Sequence, residues 1–308
     1  MNDPHPENLL PGARAVAFAD IEGALESAAG EAERRLGTIA RTATLVIAGN
    51  AERLVEAAQA LGDLTDIGVR AVLISYGDHA EPSVRVSHHA VALEGLRPEY
   101  LNNAVAALRL SSLPTLVWWR GGATSSLEGL ASLADRLVLD APDPTDAWAQ
   151  VAALAERTAV SDLRWARLTR WRALMAHFFD LPDVLASAAN LRSLRIEGSD
   201  RHIARLFAGW MASTLRWPRG QGYEFREKSD GAPIEAVALG DGSQELSLRL
   251  AATRTCVETA ARLTGVDPAS RIVSLGEQGL ASLLGEELRI RARDLAFERA
   301  VAASKGMR

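Results

Sequence analysis

The chain has 308 residues, of which 48% are hydrophobic and 24% charged, and this apolar fraction excludes long intrinsic disorder. A single cysteine, Cys256, excludes an intrachain disulfide and a Cys-based zinc site, and no run approaches the ~18 apolar residues of a spanning helix. The net charge of −5 is unevenly spread, with 12 basic and 21 acidic groups over residues 1–160 against 22 and 18 over 161–308.

The first 18 residues hold three of the twelve prolines and little periodicity, so residues 1–18 are expected to form a mobile arm. The opening MNDPHPENLL has neither the basic nor the apolar segment of a secretory signal, which makes the cytoplasm the expected location. Asp20 then opens an amphipathic helix, with Ile21, Leu25, Ala28, Ala32 and Leu36 near 3.6-residue spacing. The β-branched run 42–48 (TATLVIA) predicts a buried strand, ended by Gly49-Asn50, and Ala51 to Leu61 is helical. Val69 to Ser75 reads as a second buried strand and Ser83 to Leu93 as one alternating strand. Pro98 starts a helix, where its missing N–H costs nothing. Pro114 leads into the strand TLVWW, Leu137 to Leu139 forms another, and a helix spans 145–158. Apolar strands alternating with helices imply crossovers, so residues 19–160 are expected to be a three-layer α/β domain with a largely parallel sheet.

Residues 161–190 carry no strand signal and predict a helical, Trp/Arg-rich connector, with Asp162 as a helix cap. In the remainder, 191–308, a strand at 194–196 precedes a helix capped by Asp200 and running through Leu215. Strands follow near 234–239, 245–251 and 254–261, the first two joined by Asp241-Gly242, a type I′ hairpin signal. Helices near 277–289 and 293–303 complete an α+β domain with antiparallel strands.

Catalytic chemistry is sparse. His5, His79, His88, His89, His177 and His202 form no HExxH. His88 and His89, adjacent on a predicted strand, are expected to point to opposite faces and not to share an ion. His177 and Asp180, at i,i+3, are the weakest of ligand hints. No G-x-S-x-G elbow occurs, Ser125 and Ser126 have no assignable base, and Cys256 sits in an apolar strand-like run expected to be buried. No catalytic residue, cofactor site or metal site is therefore assigned. The strand-to-helix segment Arg120 to Ser126 contains a glycine pair that could cradle a sugar phosphate or nucleotide, yet it matches neither phosphate-loop nor dinucleotide pattern.

Tryptophan and arginine carry more information. All seven tryptophans lie between Trp118 and Trp217, and in Asp162 to Arg172 (DLRWARLTRWR) two of them alternate with four arginines. One of Trp118 and Trp119, neighbours on a strand, is expected in the core and the other exposed. Two alternatives stand for the segment: a core stripe of Trp165, Leu168 and Trp171 with solvated arginines, or a protein-binding surface, since Trp and Arg dominate interface hot spots. The acidic balance and the presence of only two lysines, Lys228 and Lys305, argue against nucleic acid.

The same residues carry a family resemblance. Leu113 to Gly121 (LPTLVWWRG), Asp135 to Asp140 (DRLVLD) and Val160 to Pro182, with Ala208-Gly209-Trp210 and Glu286-Glu287-Leu288-Arg289, resemble the glucose-6-phosphate dehydrogenase assembly protein family, OpcA. The resemblance implies a non-catalytic bacterial protein that binds glucose-6-phosphate dehydrogenase, promotes its assembly and acts on it allosterically in the oxidative pentose phosphate pathway. It brings no catalytic residues. The contact face expected from the residues is formed or supported by Trp118, Trp119, Arg120, Trp165, Arg167, Trp171 and Arg172.

Overall fold

The computed structural model of the chain describes residues 9–10, 12–36, 40–62, 68–77, 82–218, 221–263, 265, 269–276, 279–290 and 292–307. His5, His79 and residues 1–8 of the expected arm lie outside the described residues. The chain forms two compact units, residues 1–163 with 280–293, and residues 164–279 with 294–308. Among the described residues, no helix is long and apolar enough to cross a membrane.

The elements of the first unit follow the apolar runs in order. They are β1 (Arg14–Ala15), α1 (Ile21–Leu36), β2 (Ala43–Gly49), α2 (Ala51–Gly62), β3 (Val69–Tyr76), β4 (Ser83–Val86), β5 (Ala90–Leu96), α3 (Leu101–Leu108), β6 (Thr115–Trp119), α4 (Leu127–Leu133), β7 (Arg136–Leu139), α5 (Thr145–Leu154) and β8 (Ala159–Asp162). The sheet order is β1-β4-β5-β3-β2-β6-β7-β8. All neighbours from β5 to β8 pair in parallel, while β4 and β1 add antiparallel edge strands. Taken alone, the parallel strands have the order of a doubly wound dinucleotide-binding sheet. Right-handed crossovers put α2 on one face and α3, α4 and α5 on the other. Strands buried on both faces explain the unbroken runs TLVIAG, AVLIS and TLVWW.

The expected single strand Ser83 to Leu93 is instead a hairpin, turning at Ser87 to His89. Its turn holds neither Gly nor Pro, so local chemistry did not mark it. Consequently the rings of His88 and His89 do not face opposite ways; their centroids are 4.3 Å apart. The described part of the expected arm is tied down, with Leu9 and Leu10 buried and β1 paired to β4.

The second unit holds α6 (Leu163–Arg167, from Arg164 on), α7 (Thr169–His177), α8 (Pro182–Ser187), β9 (Ser193–Gly198), α9 (Arg201–Thr214), β10 (Glu224–Glu227), β11 (Ala236–Gly240), β12 (Glu245–Leu250), β13 (Cys256–Arg262) and β14 (Ala269–Ser274). Next, α10 (Leu280–Arg289) belongs to the first unit, and α11 (Leu295–Ser304) returns to the second. The sheet order is β10-β9-β11-β12-β13-β14, antiparallel except for the β10–β9 pair. Gly209 lets α9 cross α11 closely, because a Cβ there would sit 2.2 Å from the Ala300 carbonyl oxygen.

Four expectations are corrected by the structure. Residues 161–190 are not a connector: β8 runs through Asp162 as the edge of the first sheet, and α6 to α8 belong to the second unit. Residues 191–308 are not one domain, because α10 packs against α2. The 241–244 link is a four-residue loop and not a two-residue turn, since Asp241 Oδ1 accepts from the amides of Ser243 and Gln244, both at 2.8 Å. Those bonds hold the Asp241 carboxyl below its ordinary value. Cys256 is half-buried and not sealed in the core.

Candidate functional site

In an open parallel sheet, ligands bind beyond the carboxyl ends of the strands where the order reverses. Here that point lies between β2 and β6, so the crevice is bounded by Gly49-Asn50 and by Arg120-Gly121-Gly122. The chain fills it with its own side chains. Arg120 is 3% exposed, with Nε 3.0 Å from Asp140 Oδ2, one Nη 2.5 Å from Glu56 Oε2 and the other donating to the Arg53 carbonyl. Its guanidinium lies 4.4 Å from the Trp118 ring centroid, and the Trp118 indole N–H donates to the same Asp140 oxygen at 3.2 Å. Arg53 reaches back from α2 to donate to the carbonyls of Arg120 at 2.9 Å and Asp140 at 2.5 Å.

This lattice is the opposite of a phosphate cradle. The residues after Gly49 read Asn50-Ala51-Glu52-Arg53-Leu54, with Ala51 and Leu54 where a G-x-G-x-x-G turn has its second and third glycines. Asn50 Oδ1 accepts from the Arg53 amide at 3.1 Å, and Glu52 and Glu56 bring negative charge to the helix end that would face a phosphate. Gly121 and Gly122 have φ of +114° and +120°, and a Cβ on Gly122 would lie 2.5 Å from the Tyr76 ring. The freedom of Gly122 serves close packing on Tyr76, whose phenol is pushed above its ordinary pKa by burial, while Gly121 lies against Pro142 and Ala141.

Trp118 and Trp119 are both buried, at 0% and 1% exposure, so the expectation that one of them is exposed is corrected. Both faces of β6 are covered, which alternation alone did not reveal. With Arg120 they support the sheet and lie out of reach of a partner.

The Trp/Arg segment resolves into α6 and α7, broken at Leu168. Trp165, Leu168 and Trp171 are all buried, as the core-stripe alternative requires. Two capping aspartates anchor it. Asp200 caps α9, its Oδ1 accepting from the amides of His202 and Ile203, and its Oδ2 takes Arg164 Nε at 3.2 Å. Asp294 caps α11 through the Phe297 amide, and its Oδ2 takes the Trp165 indole N–H at 2.7 Å. The Trp165 ring packs 5.8 Å from Phe297 on one side, and Arg172 stacks 3.5 Å over it. Arg164 is therefore mostly buried and not a solvated arginine. Arg167 and Arg172 are half-buried, and Arg170 is exposed.

One surface escaped the reading of the residues. The face of the second sheet that bears Arg195, Ser247, Glu258, Ala260 and Ile272 is polar, small-sided and largely open, with Ile272 73% exposed. The alternation in Ser193–Gly198 and Glu245–Leu250 signals it. Among the described residues, no group of three or more His, Cys, Asp or Glu could hold a metal ion.

Fold and crevice together define a protein with a doubly wound, dinucleotide-type sheet whose ligand cleft is closed by an internal salt-bridge lattice, followed by an α+β unit. Residues 158–301 match a family described as the C-terminal domain of a glucose-6-phosphate dehydrogenase subunit. Over 283 residues the chain is 26% identical to the OxPP cycle protein OpcA of Synechocystis sp., covering 77% of this chain and 60% of that protein. It is 23% identical over 289 residues to the OpcA protein of Nostoc punctiforme, covering 78% and 62%. The family match and both relatives point to the OpcA family, to which the chain is similar, and the matches span about three fifths of the length of these relatives. Among solved structures, aldose-aldose oxidoreductase from Caulobacter crescentus aligns over 86% of this chain and 96% of its own, at 10% identity and a TM-score of 0.48.

Proposed function

We propose that this protein is a non-catalytic partner of glucose-6-phosphate dehydrogenase, promoting its assembly and tuning its activity in the oxidative pentose phosphate pathway. The observation that carries the reading is the closed crevice. Arg120, Arg53, Asp140 and Glu56 satisfy one another where a nicotinamide dinucleotide would lie in a working sheet of this topology. The description of the matching family and the names of the cyanobacterial relatives support the choice of partner. The rival reading, a sugar-phosphate or nucleotide binder at Arg120 to Ser126, gains no cation from Arg120, which is already paired twice.

An effector changes an enzyme only through different affinities for its states, and such coupling is typically about 1–3 kcal/mol, or roughly 5–150-fold. Arg167 and Arg172, half-buried on α6 and α7, are the members of the segment open to a partner, while Trp118, Trp119, Arg120, Trp165 and Trp171 hold the framework of their own units. The test is an initial-rate assay. Isolated chain with glucose 6-phosphate and either nicotinamide cofactor should give no reduction, and adding it to the cognate dehydrogenase should change kcat or KM. A rate from the isolated chain would overturn the proposal.

A further inference from the structure

A separate group of basic side chains converges at the opposite end of the first sheet. Arg41 precedes β2, Arg70 is the second residue of β3, and His88 and His89 form the β4–β5 turn, so the parallel register brings all four to the amino ends of β2, β3 and β5. Arg41 Nη2 donates to the His88 carbonyl at 2.8 Å, and ring nitrogens of His88 and His89 approach to 3.1 Å. Arg70 Nε is shielded from water and has no hydrogen-bond partner. Among the described residues, none of the four forms an ion pair with an acid. Among the described residues, Glu22 of α1 is the opposite charge that acts on Arg70, and it acts more weakly than burial and the like charge of Arg41. Burial also lowers Arg41, and burial, His88 and Arg41, in that order, lower His89.

Half-buried like charges without a counterion are costly, and guanidinium and imidazole N–H groups are the donors that match a tetrahedral oxyanion. We propose that Arg41, Arg70, His88 and His89 form a binding site for a phosphate-type oxyanion, taken either as the free ion or as a phosphate monoester. The arginines supply the fixed charge, Arg70 Nε the unused donor, and the imidazoles further donors once protonated. The site is independent of the dehydrogenase reading and lies outside the closed crevice.

Linkage gives the pH signature. With its pKa depressed below the ordinary 6.5, His89 withholds protons in the folded state, so stability is complete above that value and falls as pH drops through it. A bound oxyanion opposes the charge of His88, Arg41 and Arg70, favours protonated His89 and reverses that loss, whereas Glu22 would oppose the anion.

The experiment titrates inorganic phosphate and, separately, a hexose phosphate into the full chain, following histidine ring signals by NMR and the melting temperature. Saturable ring-signal shifts of His88 and His89 are expected, with a raised titration midpoint for His89, unmoved signals of His177 and His202, and a higher melting temperature at acid pH. A response to phosphate alone assigns the free ion, and a response to both assigns a monoester site. Arg70→Gln and Arg41→Gln should each weaken binding by about tenfold or more. Absence of saturable histidine shifts in the parent chain, a test that needs no variant, overturns the proposal. So does full affinity in the folded Arg41→Gln, Arg70→Gln double variant.

Discussion

Replacing Glu287 by Leu should destabilise the first unit by about 3–5 kcal/mol, because it strands a buried guanidinium. Arg136 and Glu287 are 4% and 3% exposed, joined by contacts of 2.6 and 2.7 Å, and Ser161 donates to the second carboxylate oxygen at 3.2 Å. Arg136 also donates to the Ala292 carbonyl. This cluster fastens α10 to β7 and β8, on the side of the sheet that the crossover helices α4 and α5 leave uncovered. The double variant Arg136→Leu with Glu287→Leu removes both charges and should recover most of the loss. Urea denaturation followed by circular dichroism measures both. A Glu287→Leu chain as stable as the parent would mean that α10 is not held by this pair.

Trp165→Ala should cost the second unit about 3–5 kcal/mol, the range for a buried aromatic. The indole closes three arrangements at once: the bond to Asp294, the packing on Phe297 and the stacking under Arg172. Arg172→Ala should lose about 1 kcal/mol of stability through that stacking, which makes it an impure probe of binding. Arg167, half-buried and in no ion pair among the described residues, is the clean one. Arg167→Ala should leave the melting temperature nearly unchanged while weakening dehydrogenase binding by about 1–2 kcal/mol. Melting curves beside a binding titration separate these effects. A stable Arg167→Ala chain with parental affinity moves the contact away from α6, and the open face around Ile272 becomes the surface to substitute next.

The strands of the first sheet were legible because burial on both faces writes itself as unbroken apolar runs, and the cap at Asp200 because an aspartate ahead of a periodic helix has few other roles. What escaped depends on distant partners. Arg120 reads as a free cation beside a glycine pair until Glu56 and Asp140, 64 and 20 residues away, are seen to hold it. Trp165 reads as half of a hot spot until Asp294, 129 residues on, takes its N–H. The strand β8, Ala-Val-Ser-Asp, is too polar and short to announce itself; Asp162 survives burial there by accepting the Trp148 indole N–H at 2.8 Å. No local pattern tells that α10 returns to the first unit, since that follows from one buried ion pair across 151 residues.

The central claim is that this protein acts through the dehydrogenase and not through chemistry of its own. Light scattering coupled to size exclusion, on the purified chain mixed with its cognate glucose-6-phosphate dehydrogenase, tests it most directly. The expected result is a co-eluting species whose mass contains both chains, lost or weakened by Arg167→Ala and retained without added nucleotide. Two separate peaks with unchanged masses, across dehydrogenase concentrations that span its own assembly, would contradict it.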